Sequence, residues 1–381
     1  MPKTDIKLGI IAGGQLAKML VQEASKLAVE TWVLDPDADC PAAAIASVCI
    51  QGHYHDYDSV LAFGRQVDLL TFEIEHVNTA ALYRLQAEGL AIAPDPSILE
   101  LIQDKGRQKA FYRDHDIPTA PFTDYPDQAA IRAALAQGAL TYPFVQKLCR
   151  GGYDGRGVAV VAEAADLDSL LDGPSIIEPR VAIAREVAVI TARDAAGEMR
   201  SFPPVDMVFD PRANLVDKLV SPSAIDAATA ARCTAVAEQL AQALDLQGLL
   251  AVELFIDTAG NVLVNESAPR PHNSGHHTIE SVYTSQFEQH LRAVLGLPLG
   301  STRLKTAAVM VNLLGTEGYT GPAVYDGLAD CLAIEGVHVH IYGKRETRPY
   351  RKMGHVTVIA PTAAEALAKA ETVKPLIEVR A

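Results

Sequence analysis

The chain is poor in cysteine, and no pattern would let its five cysteines act together. They are scattered along the sequence, with no C-x-x-C pair, as Cys40, Cys49, Cys149, Cys233 and Cys331. Zinc knuckles and dithiol redox motifs of the C-x-x-C type are therefore excluded. An odd, dispersed set indicates reduced thiols rather than a disulfide framework. We accordingly expect a cytoplasmic protein.

Long apolar runs and an excess of positive charge are also missing. No segment approaches the roughly 18 uncharged apolar residues of a membrane span, and the opening MPKTDIKLGIIAGG lacks the features of a signal peptide. The chain carries 33 lysines and arginines against 47 aspartates and glutamates, a formal net charge of −14. We expect neither a membrane nor a nucleic acid as partner, because nucleic-acid binding needs a basic footprint. An anionic ligand would require locally concentrated positive charge.

The first hundred residues alternate between strand and helix patterns. Strands are predicted over residues 7–12, 30–35, 67–74 and 90–95, with a helix over 15–28. This alternation is typical of a parallel sheet covered by helices. Residues 116–127 carry three prolines and have the composition of a linker.

Beyond this segment the pattern favours hairpins. Strands are predicted at 142–148, 157–163, 185–194, 198–205, 249–256, 261–267, 338–344 and 355–360, and the clearest helix at 224–246. An α/β first domain followed by an α+β body is the architecture that these patterns predict.

The most informative pair of residues is Glu253 and Glu266. If their strands form a hairpin centred on Ala259–Gly260, the two glutamates lie directly opposite each other on one sheet face. Like charges so placed are destabilising unless a cation lies between them, and two carboxylates with substrate phosphates suit Mg²⁺ or Mn²⁺. A looser register would instead turn one glutamate to solvent.

Two glycine-rich turns admit more than one interpretation. AGGQLA at 12–17 follows a strand and opens a helix, with Asp35 21 residues beyond Gly14. It fits a nicotinamide dinucleotide, the phosphate of another ligand, or a tight structural turn. RGGYDGRG at 150–157 has four glycines and two arginines between apolar strands, which favours a loop that folds over a polyphosphate.

The segment 265–278, NESAPRPHNSGHHT, begins at the carboxylate pair and adds donors for an anion, Arg270, His272 and Asn273. A zinc site formed by the histidines at 272, 276 and 277 is an alternative, although the intervening Asn-Ser-Gly spoils a helical spacing. The basic run at 342–355 is either a solvated face or a phosphate site. Together, the residues indicate a reaction that uses ATP on an anionic substrate.

These motifs resemble the ATP-grasp superfamily and, within it, the 5-(carboxyamino)imidazole ribonucleotide synthases of purine biosynthesis. The matching strings are GGQLAKML, FEIEHV, KLCRGGYDGRG, AVELF, NESAPRPHNSGHHT, YGK and RPYRKMGHVT, which span nearly the whole chain. The resemblance implies an ATP-grasp fold with a Rossmann-like pre-ATP-grasp domain over 1–103 and a lid domain over 104–184. The ATP-grasp domain over 185–381 would end in a small β-rich segment from about 302.

The resemblance also implies an ATP-dependent ligase that carboxylates aminoimidazole ribonucleotide with bicarbonate, in a cytoplasmic homodimer. Glu253 and Glu266 would bind the metal, and Arg270, His272, Asn273 and Lys344 would be catalytic. The implied ATP contacts are Lys105, Lys147, Gly152, Tyr153, Asp154, Gly155, Arg156, Gly157, Val158, Glu178, Pro179, Arg180, Val181, Glu186, Asn265 and Glu266. The implied ribonucleotide contacts are Gln15, Glu73, Tyr153, Asp154, Arg156, Lys344 and Arg351.

The chain departs from the family pattern at several positions. Phe209 stands where a nucleotide-contacting histidine is expected, which puts that single contact in doubt. The rival interpretations are a sibling ATP-grasp ligase such as a formate-using glycinamide ribonucleotide transformylase or a biotin carboxylase, a nicotinamide-dependent oxidoreductase, and a non-catalytic binding module. The RPHNSGH string argues against the sibling ligases.

Overall fold

The computed structural model describes residues 6–152, 157–210 and 215–381. The first sheet is wholly parallel, in the order β3-β2-β1-β4-β5. Its strands are Lys7–Ile11 (β1), Glu30–Asp35 (β2), Val48–Gln51 (β3), Leu69–Phe72 (β4) and Ala91–Ile92 (β5). The connecting helices are Gln15–Ser25 (α1), Tyr57–Gly64 (α2), Thr79–Ala87 (α3) and Pro96–Ile102 (α4). The predicted α/β first domain is confirmed.

A small antiparallel sheet follows, in the order β6-β9-β7-β8. Its strands are Thr123–Tyr125 (β6), Phe144–Leu148 (β7), Val158–Val161 (β8) and Ser175–Pro179 (β9), and its helices are Lys105–Asp114 (α5) and Gln128–Ala136 (α6). The glycine-rich turn between β7 and β8 includes Tyr153, Asp154, Gly155 and Arg156, which lie outside the described residues. The predicted contacts of these four residues stay predictions.

The large sheet runs in the order β15-β14-β10-β12-β13-β16-β21-β19, and β11 pairs with β10. Its strands are Ile183–Arg193 (β10), Met199–Ser201 (β11), Val205–Asp210 (β12), Leu215–Ser221 (β13), Gly248–Asp257 (β14), Val262–Ala268 (β15), Ala307–Leu314 (β16), Val337–Ile341 (β19) and Lys352–Ala360 (β21). Short pairs outside it are formed by Gly321–Pro322 (β17), Val324–Asp326 (β18), Glu346–Thr347 (β20) and Glu378–Arg380 (β22). The C-terminal strands thus extend the sheet that carries the glutamate pair.

Helices cover the large sheet unequally on its two faces. They are Ala227–Ala243 (α7), Thr278–Ser281 (α8), Gln286–Val294 (α9), Leu328–Leu332 (α10) and Ala363–Val373 (α11). Val187, Val189 and Val252 pack with α7 in one core cluster. Because side chains alternate along a strand, the intervening residues Ala188 and Glu253 belong to the opposite face. On that face Leu249 and Ala251 of β14 pack with Ala293 of α9, and Glu253 lies further along the same strand.

The proline-rich segment 116–127 does not act as a free linker, which corrects the prediction from its composition. Ile117 and Ala120 are buried, and Val264 N–H donates to the carbonyl of Pro118 at 2.7 Å. Thr119 Oγ1 also donates to the carbonyl of Val264 at 2.7 Å. The segment therefore covers the outer edge of β15, where unpaired backbone groups would otherwise face solvent.

The turn after β1 is held by two carboxylates. Gly13 N–H donates to Asp35 Oδ2 at 2.7 Å, Gly14 N–H donates to Glu73 Oε1 at 2.5 Å, and Ala17 N–H donates to Glu73 Oε2 at 2.7 Å. Glu73 and Asp35 are both buried. The amides that would hold a dinucleotide phosphate are thus engaged by the protein's own acids, which argues against the oxidoreductase interpretation.

We predict that Gly14→Ala destabilises the protein through Glu73. A Cβ at position 14 would lie far inside van der Waals contact of Glu73 Oε1, and displacing the carboxylate leaves buried amides unpaired at a cost of about 2 kcal/mol. Urea unfolding of Gly14→Ala, Glu73→Ala and the double variant measures the coupling. We expect the alanine at position 14 to cost at least about 1 kcal/mol less when Glu73 is already absent, and additive effects would contradict this account.

Candidate active site

Glu253 and Glu266 are paired across β14 and β15, as predicted, but for a different reason. Near the turn, Ile256 pairs with Val262 and Leu254 pairs with Val264, so the hairpin is centred one half-residue earlier than the sequence indicated. In that register Glu253 would face Asn265. A β-bulge at Asn265 adds one residue to β15 and brings Glu266 opposite Glu253. Val264, which donates to the carbonyl of Pro118 and accepts from the hydroxyl of Thr119, is fixed immediately before this bulge.

The electrostatic environment of the two carboxylates differs. Burial first, and then the neighbouring Glu266, raise the pKa of Glu253. The ammonium of Lys105 lies 2.9 Å from Glu266 Oε2 and holds the pKa of Glu266 below its ordinary value. Nearly half of the Glu266 side chain, 47%, is exposed to the cleft. Glu266 is thus the ionised carboxylate that is open to the cleft, and Glu253 is its buried neighbour, which is costly to ionise alone.

Helix α5 delivers two lysines because residues four apart lie on the same helix face. Lys105 reaches Glu266, and Lys109 Nζ lies 2.7 Å from Glu178 Oε1. Lys147 Nζ lies 3.0 Å from Glu178 Oε2 and 2.9 Å from Asn265 Oδ1. Lys109, Glu178, Lys147 and the bulge residue Asn265 therefore form one connected cluster between the small and large sheets, and Lys105 contacts the next residue, Glu266.

Two buried residues of this cluster, Lys109 and Glu178, have pKa values shifted from their ordinary ranges. Burial lowers the pKa of Lys109 to about 8, and its side chain is only 2% exposed. Burial alone would raise the pKa of Glu178, but Lys147 and Lys109 outweigh it and lower that pKa below the ordinary value. A salt bridge buried to this degree makes each partner depend on the other.

The loop after β15 carries the predicted anion donors. Arg270 Nη2 lies 2.6 Å from Glu75 Oε1, and His272 Nε2 lies 3.8 Å from Glu253 Oε1. Asn273 Nδ2 donates to Asn312 Oδ1 at 2.8 Å. Burial lowers the pKa of His272 to about 4, so the neutral imidazole predominates at neutral pH.

Gln286 fixes the same loop by a double hydrogen bond. His272 N–H donates to Gln286 Oε1 at 2.9 Å, and Gln286 Nε2 donates to the carbonyl of His272 at 2.7 Å. The imidazoles of His272, His276 and His277 turn to different partners, with Nδ1 atoms at Ser274, Gln286 and Ser281 respectively. Because the three histidines do not converge, the geometry disfavours the zinc alternative. No group of three or more histidine, cysteine or acidic side chains able to hold a metal occurs within residues 6–152, 157–210 and 215–381.

A cleft of about 610 Å³ joins the first domain, helix α5 and the loop after β15. Eight of the predicted site residues line it, namely Gln15, Glu73, Lys105, Gly152, Glu266, Arg270, His272 and Asn273. Cavities of this size accommodate small-molecule ligands. The cleft brings together residues more than 250 positions apart in the chain.

Other predicted residues lie near this cleft or at a second one. Glu186 and Phe209 border a second cavity of about 720 Å³, lined by residues of β10, β12 and α11, and burial raises the pKa of Glu186. Phe209 packs against the apolar cluster of Ala188, Met207 and their neighbours, so its position continues an apolar surface. Val158 pairs with Lys147, while Pro179, Arg180 and Val181 end and follow strand β9.

The basic run near the C-terminus is dispersed. Lys344 Nζ donates to the carbonyl of Lys352 at 2.7 Å, and Arg351 Nη1 donates to the carbonyl of Glu346 at 2.6 Å. Arg345 lies 2.6 Å from Asp39 of the first domain. Lys352 lines the cleft, although it was not among the predicted site residues.

Lys109 is another site residue that sequence reasoning missed, whereas Glu75 was recognised as a candidate at the end of a strand without its partner. The four-residue spacing of Lys105 and Lys109 was the available signal for Lys109, but no helix was predicted there from the sequence. Glu75 alternates with Glu73 in FEIE, but only the fold shows that it contacts Arg270.

Comparison with known proteins gives a consistent result along the chain. Models of a ribonucleotide synthetase preATP-grasp domain, an ATP-grasp domain and a phosphoribosylaminoimidazole carboxylase C-terminal domain match residues 6–103, 110–287 and 308–369. The fold and the carboxylate pair therefore define an ATP-grasp enzyme. The domain limits predicted at residues 103 and 184 stay predictions.

Three relatives narrow the class. N5-carboxyaminoimidazole ribonucleotide synthase of Brucella melitensis is 38% identical over 95% of this chain and 99% of its own. The crystal structure of the corresponding Thermotoga maritima synthetase is 40% identical, with a TM-score of 0.91 over 99% of both chains. An Aspergillus clavatus synthase solved with ADP and 5-aminoimidazole ribonucleotide is 31% identical, with a TM-score of 0.88 over 97% of this chain and 98% of that one. The chain belongs to the N5-carboxyaminoimidazole ribonucleotide synthase family.

We predict that Lys109→Met destabilises the protein by on the order of 3 kcal/mol, because it removes a partner of the buried Glu178 carboxylate. The double variant Lys109→Met/Glu178→Gln should recover part of this loss. Arg107→Met is the control, because Arg107 lies on the same helix as Lys109 and forms an exposed ion pair with Glu100 of α4; it should change stability by less than about 1 kcal/mol. Urea unfolding measures all three, and a Lys109 variant no weaker than the control would contradict the prediction.

Proposed function

We propose that this protein carboxylates the exocyclic amine of 5-aminoimidazole ribonucleotide with bicarbonate, at the expense of ATP. The observation that carries the proposal is the bulge-aligned pair Glu253–Glu266 beside a cleft lined by Lys105 and Arg270. The family membership of the chain supports the same reaction. The products would be N5-carboxyaminoimidazole ribonucleotide, ADP and phosphate.

Glu253 and Glu266 fit a divalent cation such as Mg²⁺ or Mn²⁺. Both offer hard oxygen atoms on one sheet face, and Mg²⁺ is usually held by one or two carboxylates with substrate phosphates completing its shell. When bound, the ion would neutralise charge on the transferred phosphoryl group.

The charged cluster around Glu178 fits the ATP polyphosphate. Lys105 and Lys147 would contact the phosphates, with Asn265 beside them. Residues 178–181 would line the adenine, and Glu186 would hold the ribose hydroxyls. The glycine-rich turn from Gly152 to Val158 would close over the phosphates and keep water from the reacting groups.

Bicarbonate would lie against Arg270, His272 and Asn273. A bicarbonate oxygen attacks the γ-phosphorus of ATP, and ADP leaves, giving carboxyphosphate. The exocyclic amine then attacks its carbonyl carbon, and phosphate leaves while the nitrogen loses a proton. Arg270 stabilises the anion through charge-assisted hydrogen bonds, and fixed donors cost little reorganisation as charge develops.

The ribonucleotide contacts proposed for the cleft are Gln15, Glu73, Lys344 and Arg351, with Tyr153, Asp154 and Arg156. Glu73 would act mainly by shaping the turn at Gly14, because its carboxylate already accepts two backbone N–H bonds. Among the described residues, none of the helices has both the length and the apolar character needed to cross a membrane. The homodimer and the cytoplasmic location stay predictions.

The test is coupled ADP release with Mg-ATP, the ribonucleotide and bicarbonate. We expect turnover that requires both co-substrates and falls at least a hundredfold, equivalent to about 2.7 kcal/mol, in Glu266→Ala. Formate in place of bicarbonate, with glycinamide ribonucleotide, tests the sibling transformylase reaction. ADP release indifferent to the aminoimidazole ribonucleotide would overturn the assigned substrate, and full activity of Glu266→Ala would overturn the metal site.

A further inference from the structure

Glu75 and Arg270 join the first domain to the loop that carries the anion donors. Their side chains lie 2.6 Å apart, and only 21% of Glu75 and 16% of Arg270 is exposed. Glu75 follows strand β4 of the parallel sheet, whereas Arg270 follows strand β15 of the large sheet. Both residues line the 610 Å³ cleft. The ion pair therefore spans two separately built parts of the molecule at the site itself.

The backbone that carries Glu75 is held from a third element. Gln103 Nε2, at the end of helix α4, donates to the carbonyl of Glu75 at 2.7 Å and to that of Val77 at 2.9 Å. Two residues earlier, Glu73 is tied to the turn at Gly14. The Glu75 carboxylate thus projects from a segment fixed on both sides.

Arg270 is oriented by two acceptors. Besides the Glu75 contact through Nη2, its Nη1 donates to the carbonyl of Pro271 at 2.9 Å. An arginine has its N–H donors in a rigid planar fork, so two contacts made by different nitrogens define the plane of the guanidinium. An arginine ordered before binding loses less side-chain entropy when an anion arrives.

The Glu75 charge has an opposing effect, because a carboxylate near the site repels an incoming anion. The two effects predict opposite outcomes when Glu75 is removed. The fixed backbone, the short contact and the second acceptor all favour orientation as the larger effect.

We propose that Glu75 is a positioning residue that holds the Arg270 guanidinium ready for bicarbonate. This inference rests on the proposed function. It assigns to the second acid of FEIE a task distinct from that of Glu73, which shapes the turn.

The test compares Glu75→Ala with Glu75→Gln, which loses the charge but keeps an acceptor oxygen. We expect Glu75→Ala to raise the KM for bicarbonate at least tenfold and Glu75→Gln to raise it less than threefold, with KM for ATP and Tm little changed in either. Glu88→Ala and Glu88→Gln are matched controls, because Glu88 forms exposed ion pairs with Arg65 and Arg84. Both controls should leave all three quantities unchanged.

A second readout does not depend on turnover. In nitrogen-15 NMR of arginine-labelled protein, the Arg270 Nε–H signal, assigned through Arg270→Lys, should show an ordered side chain in the wild type and in Glu75→Gln. It should show increased motion in Glu75→Ala. Order retained in Glu75→Ala overturns the positioning role even if the protein proves to catalyse another reaction.

Three kinetic results would also overturn the inference. The first is a KM for bicarbonate in Glu75→Ala that stays within twofold of the wild type. The second is a lowered KM for bicarbonate in both Glu75→Ala and Glu75→Gln. The third is a parallel rise of the KM for bicarbonate and the KM for ATP in Glu75→Ala, together with a lowered Tm. The second would mean that charge repulsion dominates, and the third that the pair is merely structural. Wild-type turnover independent of bicarbonate would instead refute the proposed function. The NMR readout tests the positioning of Arg270 separately, because it does not depend on turnover.

Discussion

The placement of two glutamates side by side on neighbouring strands is the constraint around which this molecule is organised. Glu253 and Glu266 face each other on the same side of the large sheet, where like charges repel unless cations offset them. One cation is built in, because Lys105 from helix α5 contacts Glu266. The other is the divalent ion that we propose. The local instability of the pair in isolation is the reason why we propose it as a ligand set.

The surrounding structure brings that pair into line and connects it with the rest of the site. The segment 118–119 fixes Val264, and the bulge at Asn265 follows directly. Asn265 in turn contacts Lys147, which shares Glu178 with Lys109. The bulge in β15 thus sets the position of the Glu266 carboxylate and of the Asn265 side-chain amide, which contacts Lys147 of the small sheet. The bulge is a functional feature of the strand rather than a defect.

Acidic residues perform different tasks in the two halves of the cleft. In the first domain, Asp35 and Glu73 accept backbone N–H bonds and close the turn after β1. In the large sheet, Glu266 faces the cleft and remains able to bind a ligand. A glycine-rich turn followed by a helix resembles a phosphate site in sequence, but the fold here fills it with its own carboxylates. Sequence spacing alone does not distinguish these two uses.

Local sequence patterns predicted the parallel first sheet and the hairpins, and the alanine-rich stretch at 224–246 predicted helix α7. The pairing of Glu253 with Glu266 was predicted correctly from a hairpin centre that proved wrong, since a bulge depends on contacts with residues 118 and 119. The proline-rich segment 116–127 was misjudged for the same reason, because its role as an edge cover arises only in the folded chain. Lys109 was missed, and the partner of Glu75 was not foreseen, since Glu178 and Arg270 lie far away from them in sequence.

The most direct measurement is Mn²⁺ binding in the presence of ATP, followed by the loss of the free-ion electron paramagnetic resonance signal. The account predicts that Glu253→Gln and Glu266→Gln each weaken Mn²⁺ binding at least tenfold, or about 1.4 kcal/mol. Glu238→Gln, on helix α7 at the opposite face of the sheet, should bind as the wild type does. Unchanged Mn²⁺ affinity in both variants of the pair would contradict the central claim that these two carboxylates form the metal site.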